Sequence, residues 1–199
     1  MLLGSQTARS KPAPRSARLS LLQSRRPLTG VRTVLPVIGR RNDRQGRRWL
    51  RVRLPGRPNG STGWIRRRGT FPIRTSWHIV IDTSARRVTA YKNGRPVRAF
   101  KAIVGAASTP TPHGSFFIEE TIRLRANAVG APLALALSAR SNVFQEFAGG
   151  PGQIGIHSLR NVGGTLGTAV SHGCVRMDAG AIRWIVARVT PGVPVTITP

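Results

Sequence analysis

Short segments in which apolar and polar residues alternate, separated by turns rich in glycine and proline, constrain the fold of this chain most strongly. Residues 49–54 and 77–82 both alternate with the period of a half-buried β-strand. Asn93 and Gly94 form the residue pair preferred in a two-residue hairpin turn, and strand-like segments lie on both sides of them. Because 22 glycines and 15 prolines are available for such turns, the sequence predicts a mostly β protein.

One helix is predicted near the C-terminus. Asp178 is a favourable N-cap residue for it. The apolar residues that recur at helical spacing are Ala181, Ile182, Ile185, Val186 and Val189. Pro191 and Gly192 end the helix, and residues 193–197 are predicted to form a closing strand.

The chain divides into three regions. Residues 1–28 are rich in serine, arginine and proline without periodicity, which predicts a disordered basic tail or linker. Residues 29–72 contain several short strand candidates, and the segments 49–52 (WLRV) and 62–65 (TGWI) resemble bacterial SH3-like domains. That resemblance implies a small β barrel that binds cell-wall material or peptides, or that serves as a spacer packed on the next domain. Residues 73–199 form the third region.

Positive charge is concentrated in the first third of the chain. Residues 1–68 hold 18 basic residues and one acidic residue, within a formal net charge of +26 for the 199 residues. This imbalance predicts attraction to a polyanion, such as nucleic acid, an anionic wall polymer or a membrane surface. The chain has no helix-turn-helix or zinc-finger spacing, so nucleic acid is not the expected partner.

Signals for export are weak in this sequence. No segment approaches the roughly 18 apolar residues that a membrane-spanning helix needs. Leu2 and Leu3 are followed at once by small and polar residues, so a signal peptide is not evident. The only cysteine cannot form an intramolecular disulfide, and a free cysteine in an exported protein indicates a reactive thiol.

That cysteine lies in the segment 171–176 (SHGCVR), and His157 precedes the segment. A free thiol is only a few per cent ionised at neutral pH, so a cysteine nucleophile needs an imidazole nearby. His157 and His172 are both within short reach in the sequence. Gly173 carries no side chain that would block the approach of a ligand to the backbone. The pattern therefore predicts a nucleophilic thiol at Cys174.

Two other interpretations of the cysteine remain open. A lone cysteine is often a small buried hydrophobic residue, although the polar, glycine-rich flanks argue against this. A metal site could be built from His157, His172 and Cys174, with His113 as a further ligand. However, the chain has no Cys-x-x-Cys or His-x-x-x-His spacing and few acidic residues. We therefore expect neither a metal nor another cofactor.

The spacing from His157 to the segment 171–176 resembles the signature of the YkuD-type L,D-transpeptidases. The segments 109–116 (TPTPHGSF) and 149–154 (GGPGQI) are also similar to that family, and the resemblance covers about residues 76–199. It implies a mostly β catalytic domain with a short helix after the catalytic cysteine. It also implies a bacterial acyltransferase of cell wall biogenesis, located outside the cytoplasm in the periplasm or cell wall.

The resemblance further implies the substrates. Such enzymes cross-link peptidoglycan, with a tetrapeptide stem as acyl donor and the side-chain amine of a diamino acid on another stem as acceptor. Peptidoglycan stem peptides are therefore the expected partners, with anionic wall polymers as a further partner of the basic N-terminal half. Carbapenems are the expected covalent inhibitors, because they acylate the cysteine of many members.

Acyl transfer by a thiol assigns roles to three residues. Cys174 would attack the carbonyl of the L-centre and release the terminal D-residue. His157 would take the thiol proton and return it to the leaving amine. The backbone carbonyl of Ser158 would orient the imidazole of His157, as in the family.

Four further residues complete the predicted site. The backbone N–H groups of His172, Gly173 and Cys174 are candidates for the oxyanion hole, and His172 would also shape the pocket. Ser171 and Arg176 are the expected substrate-binding residues. Arg176 would meet a carboxylate of the stem peptide, and a purely structural role for it is an alternative.

Other functions stay open at this point. An L,D-carboxypeptidase would use the same residues but resolve the acyl-enzyme with water. A wall-binding protein with an inactive catalytic domain is a second alternative, although Cys174 and His157 are both present. A nucleic-acid-binding protein is a third, and it would show an affinity that falls steeply with salt.

Overall fold

The computed structural model describes residues 1–146 and 150–199. Its N-terminal part contains β1 (Gln6–Arg9), β2 (Arg18–Leu22), β3 (Val37–Asn42), β4 (Arg48–Arg53) and β5 (Thr62–Arg66). Its C-terminal part contains β6 (Trp77–Asp82), β7 (Arg87–Lys92), β8 (Arg95–Lys101), β9 (Val104–Gly105), β10 (Gly114–Arg123), β11 (Leu133–Arg140), β12 (Gln153–Ser158), β13 (Ala169–Ser171), β14 (Val175–Met177), α1 (Ala179–Val186) and β15 (Pro194–Thr198). The predicted mostly β fold with a short helix after Cys174 is confirmed. Gly149, in the predicted segment 149–154, lies outside the described residues.

β1–β5 form an antiparallel sheet in the order β2-β1-β5-β4-β3. Its buried core contains Leu2, Ala8, Leu22, Leu35, Leu50, Val52, Leu54, Ile65 and Phe117. Phe117 belongs to β10 of the other sheet, whereas its neighbours Phe116 and Ile118 point into the larger core. Because successive side chains of a strand face opposite sides, β10 contributes to both cores. The likeness of residues 29–72 to SH3-like domains stays a prediction.

The prediction of a disordered tail over residues 1–28 is wrong. β1 and β2 pair as a hairpin, and β1 also pairs with β5. Leu2, Ala8 and Leu22 are buried in the small core. Four of the five residues of β2 are exposed, so this strand carries no alternating pattern. A few widely spaced apolar side chains hold the segment in place, and composition alone does not reveal them.

The C-terminal part is built on an eight-stranded mixed sheet in the order β14-β12-β11-β10-β15-β6-β7-β8. β12 and β14 pair in parallel, as do β15 and β6. Asn93 and Gly94 join β7 to β8 with positive φ angles of 52° and 75°, which confirms the predicted hairpin turn. β9 and β13 form a separate parallel pair.

The sequence pattern does not predict β11 (Leu133–Arg140). β11 lies between β10 and β12, near the middle of the sheet. Residues 135–140 are all buried, so neither face of the strand carries the exposed polar residues that would reveal a period of two. β11 also contacts α1 and supports β12, the strand that carries His157.

Asp178 caps α1 as predicted. Its carboxylate accepts hydrogen bonds from the N–H groups of Gly180 (2.6 Å) and Ala181 (3.3 Å). Ile182 and Ile185 are buried against the sheet. Within residues 1–146 and 150–199, no helix is long and apolar enough to cross a membrane.

Buried polar groups join the two sheets next to β10 and β11. Glu119 is buried and forms ion pairs with Arg26 and, at 3.2 Å, with Arg140. Burial and, to a smaller extent, the charge of Arg57 lower the pKa of Arg140 to about 10, so Arg140 remains protonated at neutral pH. The side-chain amide of Asn59 accepts the N–H of Arg140 (2.9 Å) and donates to its carbonyl oxygen (2.7 Å). The N-terminal sheet is thereby fixed against the strand that supports β12.

Candidate active site

The pairing of β12 with β14 brings the predicted nucleophile and base to one face of the sheet. His157 lies opposite Arg176 in this parallel ladder. Cys174 immediately precedes β14, and its Sγ lies 3.3 Å from the backbone nitrogen of Gly155, two residues before His157 on β12. The burial pattern agrees, because Val175 and Met177 are buried while Cys174, Arg176 and His157 are half-buried.

The loop that carries the thiol is held by its own hydrogen bonds. Ser171 Oγ donates to the carbonyl oxygen of Cys174 (2.6 Å) and accepts the N–H of Gly173 (3.2 Å). Gly173 has a φ of 111°, and a Cβ there would lie 3.1 Å from Cδ1 of Ile154. A residue with a side chain would therefore be strained at this position. Ser171, which was predicted to bind substrate, is buried and acts in the structure as a brace for the loop.

A second segment, residues 109–112, braces the same loop from outside. Thr111 Oγ1 donates to the carbonyl oxygen of Gly173, and Thr109 Oγ1 donates to that of Ser171, both at 2.9 Å. The N–H of Gly105 in turn donates to Thr111 Oγ1 (2.9 Å). The sequence pattern of this segment gave the two threonines no role.

The thiol of Cys174 accepts a hydrogen bond from the backbone N–H of Gly155, with the nitrogen 3.3 Å from Sγ. Burial raises the pKa of this thiol, because the charged thiolate is poorly solvated there. The hydrogen bond from Gly155 and the positive charge of Arg176 lower the pKa by smaller amounts. The net direction is upward, so the thiol is protonated at neutral pH and needs a base.

His157 is oriented to be that base. Its Nδ1 lies 2.7 Å from the carbonyl oxygen of Ser158. Because a carbonyl oxygen only accepts, the proton of the neutral ring resides on Nδ1 and leaves Nε2 as the basic atom. Burial lowers the pKa of His157, the hydrogen bond to Ser158 raises it less, and Arg176 lowers it further. The resting site therefore holds a neutral imidazole beside a neutral thiol.

Arg176 is fixed through its backbone and keeps much of its side chain available. Its N–H and carbonyl oxygen pair with Ile103 at 2.9 and 2.8 Å. Nη1 donates weakly to the carbonyl oxygen of Gly163 (3.4 Å), and Nε is buried without a partner among the described residues. This guanidinium lies on the face of the thiol, where it can bind a carboxylate.

Two of the other three histidines, His172 and His113, make contacts of their own. His172 is exposed in the cysteine loop, and its ring centroid lies 5.9 Å from that of Phe144. His113 contacts Thr83 Oγ1 (2.9 Å) through Nε2. Within the described part of the chain, no group of three or more histidine, cysteine, aspartate or glutamate side chains could hold a metal ion.

Gly130 is a site residue that sequence reasoning missed. A Cβ at Gly130 would lie 2.5 Å from Nδ1 of His157, and its φ is 81°. Its N–H donates to the carbonyl oxygen of Arg160 (2.9 Å), and its own carbonyl oxygen accepts the N–H of Ser158 (3.2 Å). The backbone of this glycine therefore packs directly on the imidazole and holds the ring in place.

We expect Gly130→Ala to slow acylation of Cys174 by about ten- to a hundredfold, because the new methyl group displaces the imidazole from its position. The rate of thiol acylation by a β-lactam, followed by mass spectrometry, measures this. Gly94→Ala is the matched control, since Gly94 has a φ of 75° and open space around it. Both variants carry similar backbone strain, so equal acylation rates in the two would contradict the role of Gly130.

Comparisons with known proteins show the family of this chain. The sequence profile of the YkuD L,D-transpeptidase catalytic domain matches residues 76–197. The putative L,D-transpeptidase YkuD of Bacillus licheniformis is 30% identical over 135 residues, which cover 68% of this chain and 71% of that protein. L,D-transpeptidase 1 of Mycobacterium tuberculosis is 31% identical over 126 residues, covering 59% of this chain. The match spans about half of that relative, 49% of its length.

Solved structures share the fold. An L,D-transpeptidase from Mycobacterium tuberculosis H37Rv superposes with a TM-score of 0.52 at 16% sequence identity, covering 84% of this chain and 94% of that one. An L,D-transpeptidase in complex with imipenem superposes with a TM-score of 0.50 at 20% identity, covering 83% of this chain and 94% of the other.

Proposed function

Because the chain belongs to the family of YkuD L,D-transpeptidase catalytic domains, we propose that it is a peptidoglycan L,D-transpeptidase that works through an acyl-enzyme on Cys174. One observation carries the proposal: the thiol accepts the N–H of Gly155, two residues from His157 on β12, and Nδ1 of His157 is held by the carbonyl of Ser158. This arrangement leaves Nε2 as the proton acceptor. Family membership supports the choice of peptidoglycan stems as substrates. A location outside the cytoplasm is part of the proposal, because cross-linked peptidoglycan lies there.

In the first half-reaction, Nε2 of His157 takes the proton of the thiol while Sγ of Cys174 bonds to the carbonyl carbon of the donor stem. The bond from that carbon to the nitrogen of the terminal D-residue then breaks. The leaving amine takes the proton from the imidazolium, and a thioester remains on Cys174. In the second half-reaction, the side-chain amine of an acceptor stem attacks the thioester and gives its proton to His157. The thiol is regenerated as the new amide forms.

The negative charge that develops on the carbonyl oxygen needs nearby N–H donors. Of the three predicted donors, Gly173 already donates to Ser171 Oγ. The N–H of Cys174 has no acceptor among the described residues, which makes it the strongest candidate for the oxyanion hole. A donor of this kind contributes about 3–4 kcal/mol in other acyl-transfer enzymes. His172, which precedes Gly173 in the same loop, remains a second candidate.

Arg176 is the proposed binding residue for a stem-peptide carboxylate. It lies on the face of the thiol, and its guanidinium has one weak hydrogen bond to Gly163. A carboxylate bound there would use the bidentate geometry of arginine and would bring the donor stem close to Cys174. Such a ligand would also satisfy the buried Nε.

Covalent inhibition by β-lactams is part of the proposal. The structures that share this fold include one L,D-transpeptidase in complex with imipenem and another with a faropenem-derived adduct. We propose that carbapenems acylate Cys174 in the same way as a donor stem does. The strained amide of the β-lactam ring would open, and the whole inhibitor would remain attached.

A direct test incubates the purified chain with a disaccharide-tetrapeptide, with and without a second stem whose diamino acid carries a free side-chain amine. We expect a cross-linked dimer with loss of the terminal D-residue, resolved by liquid chromatography and mass spectrometry. A tripeptide product alone, in the presence of acceptor, would identify an L,D-carboxypeptidase instead. If neither product forms with protein whose thiol reacts with a carbapenem, peptidoglycan stems are not the substrate.

A further inference from the structure

A cavity of about 760 Å³ lies at the junction of the two sheets, away from Cys174 and His157. We call it the junction cavity. Its walls come from the first residues of the chain, from β3 and β4, from the connecting segment 71–75, and from the loop 190–192 before β15. A cavity of this volume falls within the range of sites that bind small molecules.

The walls of the junction cavity are strongly basic. Five arginines line it, namely Arg40, Arg41, Arg48, Arg67 and Arg74. None of the described residues that line it is acidic. Within residues 1–146 and 150–199, the arginines that form ion pairs are Arg26, Arg47 and Arg140, all outside the lining. The positive charge around the cavity is therefore not neutralised by this part of the protein, and an anionic ligand would relieve the repulsion.

Apolar side chains lie beside these charges. Val34 and Leu35 contribute to the lining, and three further apolar residues at its edge are exposed: Val37 by 45%, Phe71 by 54% and Ile73 by 48%. The N–H of Phe71 donates to the carbonyl oxygen of Met1 (2.8 Å), so its backbone is fixed while its side chain remains in solvent. Large exposed side chains grouped at a basic cavity are typical of surfaces that bind an amphipathic partner.

We propose that the junction cavity binds an anionic lipid of a membrane surface. The acyl chain enters the apolar part of the cavity, Phe71 and Ile73 insert among the neighbouring chains, and the arginines bind the phosphate of the headgroup. An anionic wall polymer would satisfy the arginines but offers no hydrocarbon to cover the exposed apolar residues. Contact with lipid buries them, which is favourable in proportion to the apolar area removed from water. The proposal is independent of the acyl-transfer chemistry.

The test must separate this site from the general attraction of a chain with a net charge of +26 to any polyanion. We would measure co-sedimentation with vesicles of phosphatidylglycerol and phosphatidylcholine at physiological salt. The double variant Phe71→Ser/Ile73→Ser should bind about tenfold more weakly than the wild type. Val97→Ser/Val129→Ser is the matched control, because these residues are 50% and 60% exposed and lie outside the cavity. It should bind as the wild type does.

A second pair of variants tests the arginines in the same assay. Arg41→Gln/Arg74→Gln removes two charges from the cavity, whereas Arg87→Gln/Arg95→Gln removes two exposed charges elsewhere. The first pair should weaken vesicle binding about tenfold, and the second pair much less. Thermal unfolding of every variant verifies that the fold is kept.

Two outcomes would overturn the proposal. Equal vesicle binding by the serine variants would mean that net charge alone attracts the protein to membranes. If Phe71→Ser/Ile73→Ser weakened binding to soluble inorganic polyphosphate as much as binding to vesicles, the occupant would be a phosphate polymer and not a lipid. Retained polyphosphate binding with weakened vesicle binding supports the lipid.

Discussion

Replacing Cys174 by alanine is expected to abolish the covalent adduct that the wild-type chain forms with a carbapenem. Alanine removes only the sulfur, whose hydrogen-bond partners among the described residues are the N–H of Gly155 and, at 4.0 Å, the carbonyl oxygen of Gln153. When a β-lactam ring opens, the amine stays attached to the inhibitor and nothing is released, so the wild-type protein gains the mass of the whole inhibitor. Turnover of stem peptides should fall at least about 10⁴-fold, as it does when other acyl-transfer enzymes lose the nucleophile.

Intact-mass spectrometry measures the adduct, with one inhibitor per wild-type chain as the expected stoichiometry. Ser84→Ala serves as the control, because Ser84 is an exposed residue of the β6–β7 turn, far from Cys174 in sequence. It should form the adduct at the wild-type rate. An adduct on Cys174→Ala would reveal a different nucleophile, and folded wild-type protein without any adduct would refute the assignment of Cys174.

The cysteine motif could be predicted from the sequence because its residues are close together in the chain. Ser171, Gly173 and Cys174 lie within one short loop, whose hydrogen bonds are local. His157 is reached by a single strand pairing, which the structure shows, and the family resemblance supplied only its role as the base. The support that Thr109 gives to the cysteine loop could not be predicted, because its hydrogen bond spans 62 residues of sequence. The support that Gly130 gives to His157 could not be predicted either, because it depends on a loop that packs against the imidazole.

Some strands could be predicted from the sequence and others could not. β6 alternates clearly, since Ile79 and Ile81 are buried while their neighbours are half-buried, and the Asn93–Gly94 turn fixes the register of the next hairpin. β11 is covered on both faces and β2 is exposed over most of its length. Neither strand therefore shows the alternation of apolar and polar residues by which a half-buried strand is predicted. Strands of these two kinds become visible only through their pairing partners.

The charge of the chain is a second feature that sequence composition alone could not interpret. Arginines are spread along the sequence, and most of them are solvent-exposed. The structure distinguishes those that bridge the two sheets, such as Arg26 and Arg140, from those that surround the junction cavity. The second group has no ion pair among the described residues, and its five arginines converge on one cavity.

His157→Gln should lower the rate of acylation at pH 7 by about 10³-fold, within the range that a general base contributes. The thiol pKa is raised by burial and that of His157 is lowered, so the wild-type site has a neutral base ready at neutral pH. Its acylation rate should decline only at acid pH, below the ordinary titration range of histidine, as Nε2 becomes protonated. Carbapenem acylation of both proteins, measured across pH, gives the loss of rate in His157→Gln at pH 7 and the pH at which the wild-type rate declines.

Without the imidazole, only the small thiolate fraction of Cys174 reacts. The rate of His157→Gln should therefore rise about tenfold per pH unit up to the raised thiol pKa, and the deficit relative to wild type should shrink as pH increases. His78→Gln is the control, because His78 lies on β6 and contacts Thr196 through Nε2; it should keep the wild-type profile. A thiolate–imidazolium pair in the resting site would instead give the wild-type protein, at neutral pH, a thiolate absorbance that Cys174→Ala lacks. Such an absorbance would show that Arg176 and the Gly155 N–H outweigh burial at the sulfur.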